Sequence, residues 1–86
     1  MIILKEPISD KAMKGHLIRR EVVPTEGSCR VLCYTEPDCV SINIGLGEGG
    51  NHVCELNDGK LRKETTALHY KKNYLYLGIE VNAGSL

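Results

Sequence analysis

Residues 28–43 read SCRVLCYTEPDCVSIN and hold three of the 4 cysteines in a chain of 86 residues; the last, Cys54, follows in HVCELND. Thr25 has the chemistry of a helix N-cap, Glu26 falls in the first turn, and Cys29, Leu32 and Cys33 recur at helical spacing on one face. The spacing predicts a helix over about residues 25–36, ending where Pro37 disfavours helical geometry at Glu36. CVSINI follows as a strand, with Val40, Ile42 and Ile44 alternating against Ser41 and Asn43 and facing the helix. Cys29 and Cys33 then point side by side toward whatever packs beneath.

Two bridges are the natural outcome of that geometry. Cys29 with Cys33 is sterically poor within a regular helix. Cys33 ends the helix and Cys39 lies just past the turn, which makes Cys33–Cys39 the short bridge and Cys29–Cys54 the long one. In the loop-entropy account each contributes roughly 2–4 kcal/mol. The rival is zinc, whose structural sites draw on tight cysteine pairs. Cys29 and Cys33 qualify as one pair, but Cys39 and Cys54 stand apart, with His52 as a substitute, so no metal site is assigned.

Composition favours staples. A chain this short buries a limited share of its surface, and with no Phe and no Trp its apolar content rests on Val, Ile, Leu and 4 tyrosines. Eleven basic and 11 acidic residues cancel, which argues against a nucleic-acid binder or a polybasic membrane binder. No apolar run approaches the roughly 20 residues of a membrane span. MIILKEPISD carries too short an apolar patch for a signal peptide, so an extracellular protein would present this chain as a mature or excised module. No N-x-Ser/Thr sequon occurs.

GHLIRREVV, residues 15–23, reads as a well-covered strand, being apolar on both parities, and Pro24 stops it. The run GLGEGG, residues 45–50, matches a dinucleotide fingerprint in form only. That motif needs a strand feeding a helix inside a larger βαβ unit, whereas NHVCEL reads as a strand, so the glycines are assigned to a hairpin loop. KLRKETTALHYKK reads as a long loop and NYLYLGIEV, residues 73–81, as the closing strand. Residues 1–82 form one domain and 83–86 a tail or linker.

The string KGHLIRREVVPTEGSCRVLCYTEPDCVSINIG, followed by CELND, resembles a PAN/apple domain. The shared features are a GH.I strand, a helix carrying C-x-x-x-C, a third cysteine six residues on in a C-x-S-x-N strand, and a later C-x-L-N. The resemblance spans about residues 14–58, and NYLYLGIEV is similar to the closing strand of many such modules. It implies an α+β fold: a curved antiparallel sheet with one helix packed across it, stapled by Cys29–Cys54 and Cys33–Cys39. The terminal-strand bridge of the apple subclass has no cysteines here, so the chain is similar to the shorter PAN form. Function follows by class: a secreted or cell-surface, non-catalytic adhesion module without a cofactor, recognising a protein or carbohydrate within a larger extracellular protein. The alternative is a structural or assembly module without a ligand pocket, and after it a small zinc domain.

No H-E-x-x-H or G-x-S-x-G string is present, and His16, His52 and His69 are each isolated. Glu36 and Asp38 supply too few oxygens for calcium and read as a solvated turn. Charge is uneven: residues 1–58 carry six Lys or Arg against nine Asp or Glu, and residues 59–86 five against two. Lys60, Arg62, Lys63, Lys71 and Lys72 bracket ETTALHY and are the candidate site for an anionic partner such as a sulfated glycan. Arg19 and Arg20 alternate faces and do not both join them. Tyr70, Tyr74 and Tyr76 are the candidate aromatic anchors, the last two sharing one face of their strand.

Overall fold

The computed structural model describes residues 7–59 and 68–79. Five strands, β1 (Ile8–Met13), β2 (Leu17–Val23), β3 (Ser41–Leu46), β4 (His52–Asn57) and β5 (Leu68–Gly78), and one helix, α1 (Glu26–Thr35), follow one another as β1-β2-α1-β3-β4-β5. The strands form one antiparallel sheet in the order β1-β5-β3-β4-β2, with β3 at its centre. The protein is thus a small α+β fold stapled by two disulfides.

Helix α1 begins where Thr25 Oγ1 accepts the Ser28 backbone N–H at 3.1 Å, satisfying one of the free donors of the first turn. Glu26 accepts from Arg30 Nη2 at 2.9 Å, one turn along. The helix closes with the Glu36 N–H on Cys33 O, ahead of Pro37. Its inner face carries Cys29 and Cys33, both essentially without solvent contact, against Ile42 and Ile44 of β3, Cys54 and Leu56 of β4, Val23 and Leu77. Val40 stands just before β3 and is half-buried; its N–H donates to Asn57 O and its carbonyl accepts from Ile79, which extends the central ladder by one residue.

The other face of β3 is also buried. Ser41 and Asn43 are as inaccessible as Ile42, and Gly45 lies beneath the Tyr74 ring so closely that a Cβ there would overlap the ring atoms. Asn43 replaces a stretch of ladder: its Oδ1 accepts the Met13 N–H at 2.8 Å and its Nδ2 donates to Met13 O at 3.0 Å. The side-chain amide thus pairs with the end of β1 as a peptide group would.

Two expectations change, and one strand has no mark in the sequence. Strand β2 is an edge rather than a covered strand; Val23 is buried and Ile18 packs partly against the core, while Leu17 and residues 19–22 are exposed. ISDKAM forms the strand β1, whose weak alternation gave no signal. Residues 68–72, read as loop, are the first half of β5. That polar half is strand because it pairs Leu68, His69 and Tyr70 with Met13, Ala12 and Lys11 across the sheet. The two halves of β5 are joined at Asn73, whose φ of 66° faces Asp10 at φ 57°, and Asp10 Oδ1 accepts the Asn73 N–H at 3.0 Å. The proposed tail, residues 83–86, lies outside the described residues.

Candidate functional site

Cys29 is bonded to Cys54 and Cys33 to Cys39, with Cα–Cα separations of 5.5 and 5.2 Å. The first bridge ties α1 to β4 through the middle of the core, and the second pins the helix end to the turn before β3. No sulfur is left as a thiolate for a metal or for nucleophilic chemistry. Among the described residues no three His, Cys, Asp or Glu side chains gather as metal ligands.

Of the basic candidates, Lys71 and Lys72 lie on β5, whereas Lys60, Arg62 and Lys63 fall outside the described residues. Lys71 Nζ sits 4.2 Å from the centre of the Tyr74 ring and 3.8 Å from Glu55 Oε2. The ring holds the cation over its negative face while the carboxylate meets it from the side. Glu55 is the hub: it also accepts from Asn43 Nδ2 at 3.0 Å and faces Arg20 Nε at 3.6 Å, with only 12% of its side chain exposed. Arg20 and Lys71 therefore converge on one carboxylate beside an aromatic ring, two cations to one anion among the described residues. Arg19 turns the other way, onto Glu21 Oε2 at 2.9 Å, in keeping with the alternation of β2.

The tyrosines divide. Tyr74 and Tyr76 are buried on the sheet face away from α1, so neither ring is a free anchor; Tyr74 acts as the wall under Lys71 and over Gly45. Tyr70 remains 66% exposed, and Lys72 beside it is exposed. What survives of the candidate anchor set among the described residues is Tyr70, Lys71 and Lys72, joined by Arg20. Sequence reasoning missed Arg20 and Glu55 because their meeting depends on the register Arg20↔Glu55 between β2 and β4. The one available hint was the alternation that separates Arg19 from Arg20.

The glycine run divides as well. Gly45 belongs to β3, and the turn proper is Gly47–Asn51, closed by the Gly47 N–H on Asn51 O at 2.8 Å, with Gly49 and Gly50 at φ 63° and 82°. A single 3-10 turn, Glu48–Gly50, is followed directly by β4, so no helix N-terminus is present to receive a pyrophosphate. Leu46 at its base is 67% exposed. His16 Nδ1 lies 3.3 Å from Asp58 Oδ1 at the surface, His52 is half-buried, and His69 is exposed on β5. The three histidines lie on separate elements and form no cluster.

No helix among the described residues is long and apolar enough to cross a membrane. No protein-family model matches the chain, and neither a curated protein nor a solved structure matches it.

Proposed function

We propose that this chain is a non-catalytic extracellular binding module of the short PAN/apple type, recognising a protein or carbohydrate partner through the β5 side of its sheet. The observation that supports it most is the exposure of Tyr70 and Lys72, two residues apart on β5 and so on one side of the strand. Aromatic and cationic side chains concentrate binding energy, the ring through area and the charge through contact with carboxylate or sulfate. The disulfides favour an oxidising compartment, since cytosolic glutathione and thioredoxin keep thiols reduced. With both staples in place, a small sheet can present flat, charged surface without relying on a large apolar core.

A glycan array and a pull-down from the source tissue, each run with the native chain and with a Tyr70→Ala/Lys72→Ala variant, test the proposal. Both substitutions are on exposed side chains, so the fold is retained and binding is the quantity that changes. A ligand retained by the native chain and lost, about tenfold or more, by the variant supports a β5 site. Binding that the variant leaves intact removes β5 from the account. The absence of any ligand favours a structural or assembly role.

A further inference from the structure

The edge strand β2 is built to match itself. Its sequence, LIRREVV, places apolar residues at both ends and charges in the middle. Register with β4 sets the faces: Arg19 and Glu21 oppose Leu56 and Cys54 on the α1 side, whereas Arg20, Val22 and Leu17 oppose Glu55, Val53 and Asn57 on the other. Leu17 is 56% exposed and Val22 66%, large apolar groups on a strand with no neighbour on its outer side among the described residues. Charged residues and a bulge on an edge usually discourage pairing. Here the same features become complementary under a two-fold axis.

We infer that β2 pairs antiparallel with β2 of a second copy, centred on Arg20, joining two five-stranded sheets into one. In that register Arg19 of each copy lies opposite Glu21 of the other. The pair already made within each strand, Arg19 Nε to Glu21 Oε2 at 2.9 Å, then becomes one half of a four-charge cluster. The two central Arg20 side chains lie opposite one another, and each keeps the Glu55 carboxylate, at 3.6 Å, that it shares with Lys71, which offsets part of their repulsion. The bulge supplies the remaining match. The register shift between Leu17 and Arg19 adds one residue to β2, which brings Leu17 opposite Val22 of the second copy, both on the face away from α1. Both exposed apolar residues of the strand are thereby covered, once on each side of the axis. Such an isologous contact closes on itself and stops at two copies. A single-strand interface lies at the small end of specific interfaces, so its affinity is expected at about 10–100 μM, enough to give a tethered or multi-copy protein two binding faces.

Sedimentation velocity of the full chain, with its disulfides intact, from about 5 μM to about 500 μM, tests this. The expected result is a concentration-dependent shift from the 9.5 kDa monomer to twice that mass. Glu21→Arg places like charges opposite one another and weakens the dimer at least tenfold, as does Val22→Lys; Arg19→Glu/Glu21→Arg restores association to within about threefold of the native chain. Glu21 and Val22 are surface side chains, and thermal unfolding verifies that each variant is folded; should one single variant fail, the other gives the answer. A chain that stays monomeric throughout, a dimer that withstands a folded single variant, or a double variant that does not associate overturns the pairing.

Discussion

Asn43 and Asn57 offer a matched pair in which chemistry and burial are the same and only the hydrogen bonding differs. Both have 1% exposure or less. Asn43 holds both polar groups of Met13, itself buried, and donates to Glu55. Asn57 Oδ1 and Nδ2 have no hydrogen-bond partner among the described residues. Replacing Asn43 with Val leaves the Met13 N–H and C=O stranded, at about 1–3 kcal/mol each, and removes a bond to a carboxylate. The regained apolar burial offsets part of this, and the expected loss is about 3–5 kcal/mol, a large fraction of the ~5–15 kcal/mol that holds a domain folded. Asn57→Val removes two unpaired polar atoms, which relieves about 1–3 kcal/mol of desolvation against about 1 kcal/mol for the altered shape. It is expected to be as stable as the native chain or up to about 2 kcal/mol more stable. Urea unfolding under non-reducing conditions, with equal slopes for the three proteins, reads the difference directly. A gap below about 1 kcal/mol, or an Asn57 variant that loses more than the Asn43 variant, would refute the assignment of Asn43 as the clamp on β1.

The bridges differ in a way that stability measurements resolve. Their sequence separations of 25 and 6 give loop-entropy contributions of about 3.5 and about 2.2 kcal/mol. Cys29→Ala/Cys54→Ala also opens space in the fully buried core, so it is expected to destabilise by at least 1 kcal/mol more than Cys33→Ala/Cys39→Ala in the same urea assay; the reverse order would contradict the placement of the long bridge. Gly45→Ala drives a methyl group into the Tyr74 ring and is expected to cost about 2–3 kcal/mol, much of it recovered in Gly45→Ala/Tyr74→Ala. Additive losses in that double-mutant cycle would mean that the ring does not rest on Gly45. Thr25→Ala removes the helix cap and is expected to cost about 1 kcal/mol, seen as a fall of about 4–8 °C in Tm.

What could be read in advance was local. The helix was marked by an N-cap threonine, a proline stop and cysteines four apart, and its observed span, Glu26–Thr35, lies inside the expected one. Ile42 and Ile44 face the helix because a strand alternates, which needs no knowledge of the partner. The missing parts depend on contacts distant in sequence. ISDKAM has no apolar rhythm, and it is a strand because β5 and the Asn43 amide take up its backbone groups. β2 looked covered since apolar residues fell on both parities, but sheet order put it at an edge, a property of topology rather than of the seven residues. The Glu55 hub is invisible in the same way: Arg20, Asn43, Glu55 and Lys71 come from four strands. Tyr74 and Tyr76 were placed on one face correctly, yet only the neighbours decide that this face is buried.

Everything proposed for this protein rests on a helix fastened to a sheet by two particular bridges, formed where thiols are oxidised. Intact mass of the native protein before and after reduction and alkylation, followed by peptide mapping without reductant, measures this directly. The predicted result is a deficit of about 4 Da, two hydrogens for each bridge, with Cys29 linked to Cys54 and Cys33 to Cys39. Four free thiols, a bound metal or a different pairing would contradict it.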